Sequence, residues 1–401
     1  MIFYRFTMWL FMVVACLIQQ SANTEESIRK RHLNPQGFMN ISEIIDYWGY
    51  PSEEYEILTA DGYFLQANRI PYGVHNPGKT GNRPVVLLVH GILAEGRFWI
   101  ANLPNNSLAF FLADAGYDVW ILNCRGTTWS RRHQYLSNKQ DKFWDFSFHE
   151  IGIYDVPATI NFILQKTKQD ALYYVGHSQG STAGLVAFSV MPQLAQKVKL
   201  FISFSPGYTL EGITSSLTII LSLPEEVGKT IWGNKEFRLF TKRIKDMNVN
   251  LCSYAGFDQL CLQIIFTTAG FNENNVNASR ADVYVGILPD FISVKTGIHW
   301  SQILTSKQFK YFDYGFKNKE VYNKTVPPFY KIEDMIVPTA VWYGGNDILT
   351  PKKDIELLLP RITHLVFQKY VPSWDHLYFM WGLDAPKLLY RDVLCLMQQY
   401  K

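Results

Sequence analysis

The stretch Tyr173-Tyr174-Val175-Gly176-His177-Ser178-Gln179-Gly180-Ser181-Thr182 sets a serine hydroxyl between two glycines in the pattern G-x-S-x-G. A serine hydroxyl is a weak nucleophile at neutral pH. It attacks an acyl carbonyl only when a base removes its proton and a carboxylate fixes the tautomer of that base and stabilises the cation that forms. The chemistry in question is therefore acyl transfer. The pattern alone proves little, because Gly and Ser are common enough to supply it by chance in roughly one chain in ten of this length.

A base and an acid must follow the serine. In serine hydrolases built on a parallel sheet they come in the order Ser, Asp or Glu, then His, each just beyond the C-terminal end of a strand. Asp347 directly follows the strand-like run PTAVWYGGN, and His376 lies in VPSWDHLYF after the strand-like HLVFQKY. Both meet the requirement. Asp334 precedes its strand, Asp354 reads as part of the next helix, and His364 begins a strand at the wrong edge of the sheet. His299, beside Trp300, reads as a packing or cap residue, and His177 cannot readily face the neighbouring serine. The developing oxyanion needs preorganised N–H donors. The Gln179 amide, next to the nucleophile, is one. The other is expected in the loop after an early strand, and His90-Gly91-Ile92 at the end of PVVLLVH points to the Ile92 amide.

Such an elbow requires a strand running in and a helix running out. LYYVG precedes Ser178, and 179–191 has the spacing of a helix, with Gly176, Gly180, Ala183 and Gly184 supplying small residues for close approach. The flanking chain keeps the same rhythm. EYEILTA and YFLQANRI flank Asp61-Gly62, a hairpin signal. PVVLLVH, YDVWILN and KLFISFS read as buried strands, and 105–116 and 155–165 as helices, with Gly116 closing the first. This βαβαβ order predicts an α/β fold with a mostly parallel central sheet covered by helices on both faces. The rhythm breaks over 207–330 into short apolar patches, then resumes with PTAVWYGG, HLVFQKY and a helix from Ala385. The expected organisation is a core of 54–206 and 331–401, preceded by an N-terminal segment of 23–53 and interrupted by an inserted cap or lid of 207–330.

Residues 6–18, FTMWLFMVVACLI, form an apolar run behind Arg5. The run is shorter than the roughly 20 residues that span a bilayer. It reads as the core of a signal peptide, 1–22, with cleavage near Ser21-Ala22. The expected mature chain has no transmembrane segment and enters the secretory route, secreted or, alternatively, delivered to lysosomes. Sequons at Asn40, Asn105, Asn277 and Asn323 agree with that route. Cys252 and Cys261 are near enough to close a short loop in an oxidising compartment, whereas Cys124 and Cys395 sit in apolar contexts and read as buried thiols. No C-x2-C pair or clustered His accompanies them, so neither a zinc site nor another metal is expected. Aromatic residues make up 15% of the 401, charged residues 18%, and the net charge is +3 with both signs interspersed. That composition excludes a disordered chain and carries no electrostatic footprint for nucleic acid.

The chain resembles the acid lipases, the group containing gastric and lysosomal acid lipase. The residues that carry the resemblance run through nearly everything after the signal. They include MNISEIIDYWGYPSEEYEILTADGYFLQANRIPYG, HGILAEGRFWIANLPNNSLAFFLADAGYDVW, RGTTWSRRH, FWDFSFHEIGIYDVPATINFI, YVGHSQGST, NASRADVY, HWSQ, PTAVWYGGND and DHLYFMW. The resemblance implies an α/β-hydrolase fold and a neutral-lipid esterase. It further implies a Ser178, Asp347, His376 triad, an oxyanion hole at Ile92 and Gln179, a cap over the site, and a Cys252–Cys261 disulfide within the cap. No cofactor is implied.

The sequence departs from the family in three places. Where relatives read NHLDF, Asp375-His376-Leu377-Tyr378-Phe379 stands here. A carboxylate beside His376 raises the imidazole pKa, so activity is expected to be lost at a higher pH on acidification than in relatives. VGILPDFISVKTG replaces a proline-glycine stretch in the cap, and Asn123-Cys124 replaces Asn-Ser.

The reading that results is a serine lipase or esterase acting on triacylglycerols or cholesteryl esters at a lipid–water interface. SLTIILSLP (216–224) and the patch Phe237 to Phe240 offer lid surfaces, with cap core as the competing role. A carboxylesterase, thioesterase or peptidase would use an identical triad, and a catalytically idle lipid-binding protein would keep the scaffold alone. The sequence leaves oligomeric state open.

Overall fold

The computed structural model describes residues 33–75, 82–223, 225–270 and 275–401. The expected signal segment, 1–22, lies outside the described residues. The first two strands, β1 (Glu53–Leu58) and β2 (Tyr63–Ile70), form the antiparallel hairpin that Asp61-Gly62 announces, with Leu58 opposite Phe64 and Gly62 at φ 97°. The left-handed position falls on the one residue without a Cβ to strain it. Next come β3 (Val85–Val89), β4 (Asp118–Leu122) and the short β5 (Arg132–His133). After them lie β6 (Leu172–His177) and β7 (Val198–Phe204). The two-residue β8 (Glu236–Phe237) and β9 (Ile292–Ser293) pair only with each other, and β10 (Thr339–Gly344) and β11 (Leu365–Val371) return to the main sheet.

The order across that sheet is β1-β2-β4-β3-β6-β7-β10-β11, with β5 on β2. The pairings from β4 to β11 are parallel, and those of β2 with β1, β4 and β5 are antiparallel. Uninterrupted apolar runs such as VVLLV form these strands because both sheet faces are covered. β3 shows the division. Val86 and Leu88 pack into one layer with Phe98, Ile121 and Trp342, while Val85, Leu87 and Val89 pack into the other with Trp120, Ile160 and Tyr174. Truncating one of these fully buried leucines to alanine costs about 2–5 kcal/mol.

Beyond the strand ends, buried polar ties hold the loops. The Arg125 guanidinium, 1% exposed, donates to Asp155 at 2.6 Å and to Asp61 at 2.6 Å, joining the hairpin turn to the helix Val156–Thr167 that begins at Asp155. Removing one member of such a buried pair costs about 3–5 kcal/mol, since the remaining charge is stranded.

The chain leaves the main sheet after β7 and returns at β10. Between them it is chiefly helical, with helices Leu217–Leu221, Glu225–Trp232, Lys242–Cys252, Phe257–Ala269, Ala281–Ile287 and Val294–Ser306. The scattered apolar patches of the sequence fall in these helices, some turned inward, as Val249, Leu262, Phe266 and Ile303 are, and others exposed, as Ile219, Val227 and Ile264 are. A Cys252–Cys261 disulfide, with Cα atoms 6.0 Å apart, links the helix ending at Cys252 to the one starting at Phe257. Among the described residues no helix is long and apolar enough to cross a membrane.

Candidate active site

Ser178 stands between the end of β6 and the helix Gln179–Val190, at φ 53° and ψ −121°. A non-glycine residue there carries about 1–3 kcal/mol of backbone strain, held in place by its surroundings. The Ser178 amide donates to Phe204 O at 2.9 Å, and Ser178 O accepts from the Thr182 amide at 3.0 Å. The flanking glycines are needed for approach. A Cβ on Gly176 would lie 2.6 Å from Ser181 N, and one on Gly180 would lie 2.2 Å from Val89 O. One on Gly91 would lie 2.9 Å from Ser178 Cβ. Strand, helix and the loop after β3 therefore meet at backbone distance around the serine.

Asp347 follows β10, and His376 follows β11. The structure brings them together. His376 Nδ1 lies 2.8 Å from Asp347 Oδ2, which assigns the ring proton to Nδ1 against a carboxylate acceptor. Asp347 Oδ1 accepts from the amides of Leu349 (2.9 Å) and Thr350 (2.8 Å), while Thr350 Oγ1 donates to Oδ2 at 2.8 Å and lies 3.3 Å from His376 Nδ1. Burial alone would raise the Asp347 carboxyl. The His376 charge and hydrogen bond, with the Thr350 amide and hydroxyl, outweigh it and hold the pKa below the ordinary carboxylate value. Among the described residues neither His376 Nε2 nor Ser178 Oγ hydrogen-bonds to another group.

Two further contacts hold the His376 backbone. Its amide donates to Ala269 O at 3.2 Å, and its carbonyl accepts from His177 Nε2 at 2.8 Å. Burial, reinforced by His376, pulls the His177 pKa down to about 3, so His177 is a neutral support rather than a base. Gly270, just beyond that helix end, leaves no room for a Cβ. Asn346 O would be 2.3 Å away and Asp375 Cβ 2.8 Å.

The Gln179 amide is one of the unpaired N–H groups that open every helix. Among the described residues the Ile92 amide, on the loop after β3, donates to no other group. Both belong to residues that adjoin Ser178, in sequence or across the Gly91 contact. Ser178, Ile92 and Thr350 line a cleft of about 700 Å³ whose remaining wall includes Leu210, Ile213, Leu217, Phe237 and Trp300. Apolar side chains dominate it. Trp300 also donates Nε1–H to Gln179 Oε1 at 2.9 Å, fixing the side chain next to Ser178. Of the lid surfaces expected from sequence, Leu217, Ile220 and Leu221 face this cleft while Ile219 is 73% exposed, and Phe237 is a buried wall residue. Pro224, at the end of the first, lies outside the described residues.

Several expectations need correction. The Asp375 carboxyl is engaged by backbone amides rather than by the neighbouring imidazole. It is fully buried and turned away, accepting from the amides of Leu377 (2.8 Å) and Tyr378 (3.1 Å). Burial, reinforced by the Asp347 charge, pushes its pKa well above the ordinary value. Cys395 is exposed, not buried, because the helix Arg391–Gln399 turns Val393, Leu396 and Met397 inward instead. Cys124 is buried. His299 stacks on Phe148 with centroids 4.0 Å apart and bonds Ser147 Oγ and Lys310 O, a packing role. Asp354 lies in the helix Lys352–Leu358 and accepts from the Tyr208 and Thr209 amides.

The sequons lie apart from the cleft lining. Asn105 and Asn323 are exposed, and Asn40 and Asn277 are half-buried at helix starts, with their side-chain oxygens accepting from Glu43 N and Ser279 N. Sequence reasoning does not mark Thr350 or the Trp300–Gln179 contact. Thr350 sits three residues after Asp347, the only signal that was readable.

Comparison with known proteins agrees with this geometry. A family described as "alpha/beta hydrolase fold" matches residues 84–383, and one described as a partial α/β-hydrolase lipase region matches 41–103. The chain is 48% identical to human lipase member M over 398 residues, 99% of this chain and 94% of that one. It is 47% identical to human lysosomal acid lipase/cholesteryl ester hydrolase over 392 residues, covering 97% and 98%. Human gastric triacylglycerol lipase is 45% identical over 397 residues, covering 98% and 100%. The fold is shared with the solved structure of a soluble variant of Saccharomyces cerevisiae monoglyceride lipase, at a TM-score of 0.52 and 15% identity over 88% of this chain and 94% of that one. An elbow serine, an Asp–His pair at successive strand ends and relatives of this closeness lead to one statement: the chain belongs to the acid-lipase group of the α/β-hydrolase fold family and is a carboxylic ester hydrolase of lipase type.

Proposed function

We propose that Ser178, Asp347 and His376 form the catalytic triad of a serine lipase acting on triacylglycerols or cholesteryl esters. The observation that carries the reading is the strained Ser178 opening onto an apolar cleft bordered by Thr350, which bonds the Asp347–His376 pair. Ser178 Oγ attacks the ester carbonyl carbon and its proton passes to His376 Nε2. The carbonyl electron pair moves to oxygen, where the Ile92 and Gln179 amides receive the charge. Collapse expels the alcohol, which takes the proton from Nε2. Water then gives a proton to Nε2 and attacks the acyl-enzyme, releasing the carboxylic acid and restoring the serine. Asp347 keeps the imidazole in the productive tautomer and stabilises its cation.

The same proposal takes 207–330 as a cap on a core of 54–206 and 331–401. Its helix Leu217–Leu221 serves as a lid that hides Leu217, Ile220 and Leu221 in water and offers them to a lipid surface. We take the chain to be secreted or lysosomal and glycosylated at Asn40, Asn105, Asn277 and Asn323.

The test is hydrolysis of emulsified triacylglycerol and cholesteryl ester from acid to neutral pH, beside a soluble butyrate ester, with fluorophosphonate labelling of the same samples. The expected result is labelling and long-chain hydrolysis by the native protein and neither in Ser178→Ala. Absence of labelling in the native protein would favour an idle lipid-binding role, and turnover of the soluble ester alone would favour a carboxylesterase.

A further inference from the structure

Beside the cleft lies a second hollow, about 410 Å³ including the part open to solvent, walled by Leu223, Trp232, Val294 and Ile298 together with Glu225 and Ser301. The two spaces share four lining residues, Ile220, Leu221, Phe237 and Gly297. Three of these are bulky. The fourth is a glycine, the fourth residue of the helix Val294–Ser306. A glycine inside a helix weakens it relative to alanine. Two local reasons usually excuse one. The backbone needs a left-handed φ, or a neighbour presses too close for a Cβ.

Neither applies to Gly297. It is not among the residues of positive φ, and a Cβ built on it meets nothing within 4 Å. By contrast, a Cβ on Gly207, elsewhere on the cleft, would meet the Trp300 ring at 2.7 Å. Gly297 lines both hollows, and the space in front of its backbone is open. A methyl group there would meet no neighbouring atom within 4 Å, and a longer side chain would extend further into the same space.

We infer that Gly297 is a doorway between the two hollows, and that the second hollow receives the distal part of a long acyl chain whose carboxyl end lies at Ser178. Gly297 is then a specificity-determining residue for acyl length, and Trp232 and Ile298 meet the chain beyond it. The inference rests on the serine-lipase reading for the position of the ester. Apart from Glu225 and Ser301 the lining is apolar, which suits an unbranched hydrocarbon, because methylenes gain by leaving water for an apolar wall and make no demand on direction. Each methylene denied its place forfeits about four-fold in kcat/KM, the equivalent of roughly 0.8 kcal/mol. Closing the doorway to several methylenes therefore costs at least about ten-fold for a long chain and leaves a chain too short to reach it without that penalty.

The experiment compares Gly297→Ala and Gly297→Leu with the native protein on p-nitrophenyl butyrate and palmitate. The expected result is a palmitate-to-butyrate ratio of kcat/KM that falls about ten-fold or more in Gly297→Leu and by a smaller factor in Gly297→Ala. Gly297→Ala is expected to melt no lower than the native protein, since it gains helix propensity and meets no clash, so it serves should the leucine variant fold poorly. An unchanged ratio in folded Gly297→Leu, or in Gly297→Ala if only that variant folds, would overturn the doorway.

A calorimetric arm separates this inference from the reading beneath it. Palmitate and hexanoate are titrated into Ser178→Ala and into the same chain carrying Gly297→Leu, or Gly297→Ala if leucine does not fold. Selective weakening of palmitate binding upholds the doorway even if no ester is turned over. Equal weakening of both acids, or of neither, refutes it.

Discussion

Backbone amides cannot be deleted by mutation, but Gly91→Ala can move one. An added methyl at position 91 would lie 2.9 Å from Ser178 Cβ, 3.1 Å from His177 Nδ1 and 3.3 Å from His177 O. Carbon pairs rest at about 3.5–4.0 Å, so the loop must retreat by more than half an ångström. Ser178 is held by the hydrogen bond from its amide to Phe204 O and His177 by its bond to His376 O, so we expect the loop that carries Ile92, tied by the Ala94 amide to Gly91 O and the Asp290 amide to Leu93 O, to be the side that yields. A donor set at the ordinary 2.9–3.0 Å from an oxyanion would end near 3.5 Å, where little of the bond survives. Losing one such donor lowers kcat about 10²- to 10³-fold. Because the charge exists only in the transition state, KM should change little. The assay is steady-state hydrolysis of a soluble butyrate ester, with melting temperature and fluorophosphonate labelling as controls for fold and nucleophile. A folded Gly91→Ala that keeps kcat within about three-fold, or that loses activity through KM alone, would refute the assignment of the Ile92 amide.

Three further outcomes follow from the site. Thr350→Val removes the hydroxyl bond to the buried Asp347 carboxylate and should destabilise the protein by about 1.5–3 kcal/mol near neutral pH. The Asp347 pKa is depressed in the folded state, so its contribution is present above the unfolded value of about 3.9 and is lost as pH falls through the folded one. In Thr350→Val that loss should begin at a higher pH in urea titrations, and superimposable profiles would contradict it. Asp375 is the opposite case. Its folded pKa is raised, so the folded state holds the proton more tightly and stability declines as pH rises from about 4 through that raised value. Asp375→Asn should therefore exceed the native protein in stability near neutral pH and converge with it in acid, and a constant difference across pH would rule this out. Iodoacetamide followed by peptide mapping should modify Cys395 in the native state and Cys124 only after unfolding, and early labelling of Cys124 would argue against its burial.

The sheet was legible because β3, β4, β6 and β10 are buried on both faces and so read as unbroken apolar runs. The elbow was legible because a close meeting of three backbones forces glycine at positions 91, 176 and 180. Asp347 and His376 could be chosen by position alone, since a strand end in a parallel sheet fixes where a loop side chain can go. Contacts that join distant residues left no such mark. The bond from Trp300 to Gln179 spans 121 residues, and nothing in the local pattern of either announces it. Asp375 misled for a related reason. Adjacency in sequence put a carboxyl beside His376, yet the chain turns there and hands it to the Leu377 and Tyr378 amides. The helices between β7 and β10 were obscure because apolar residues stand on their exposed faces as well, Ile219, Val227 and Ile264 among them, which blurs the helical period.

The contact between Ala269 O and the His376 amide has a consequence for how such an enzyme can be altered. The last turn of Phe257–Ala269 grips the loop that carries the histidine, and Gly270 wedges between that loop and Asn346. Near the helix's other end, the disulfide at Cys261 staples it to its neighbour. The segment between β7 and β10 is thus part of the chassis on which the imidazole is mounted. Exchanging it wholesale for the equivalent piece of a relative, to import that relative's taste in lipids, would also change the mounting of His376, and such chimaeras should lose turnover on every ester at once unless 269–270 and their two receiving loops travel together.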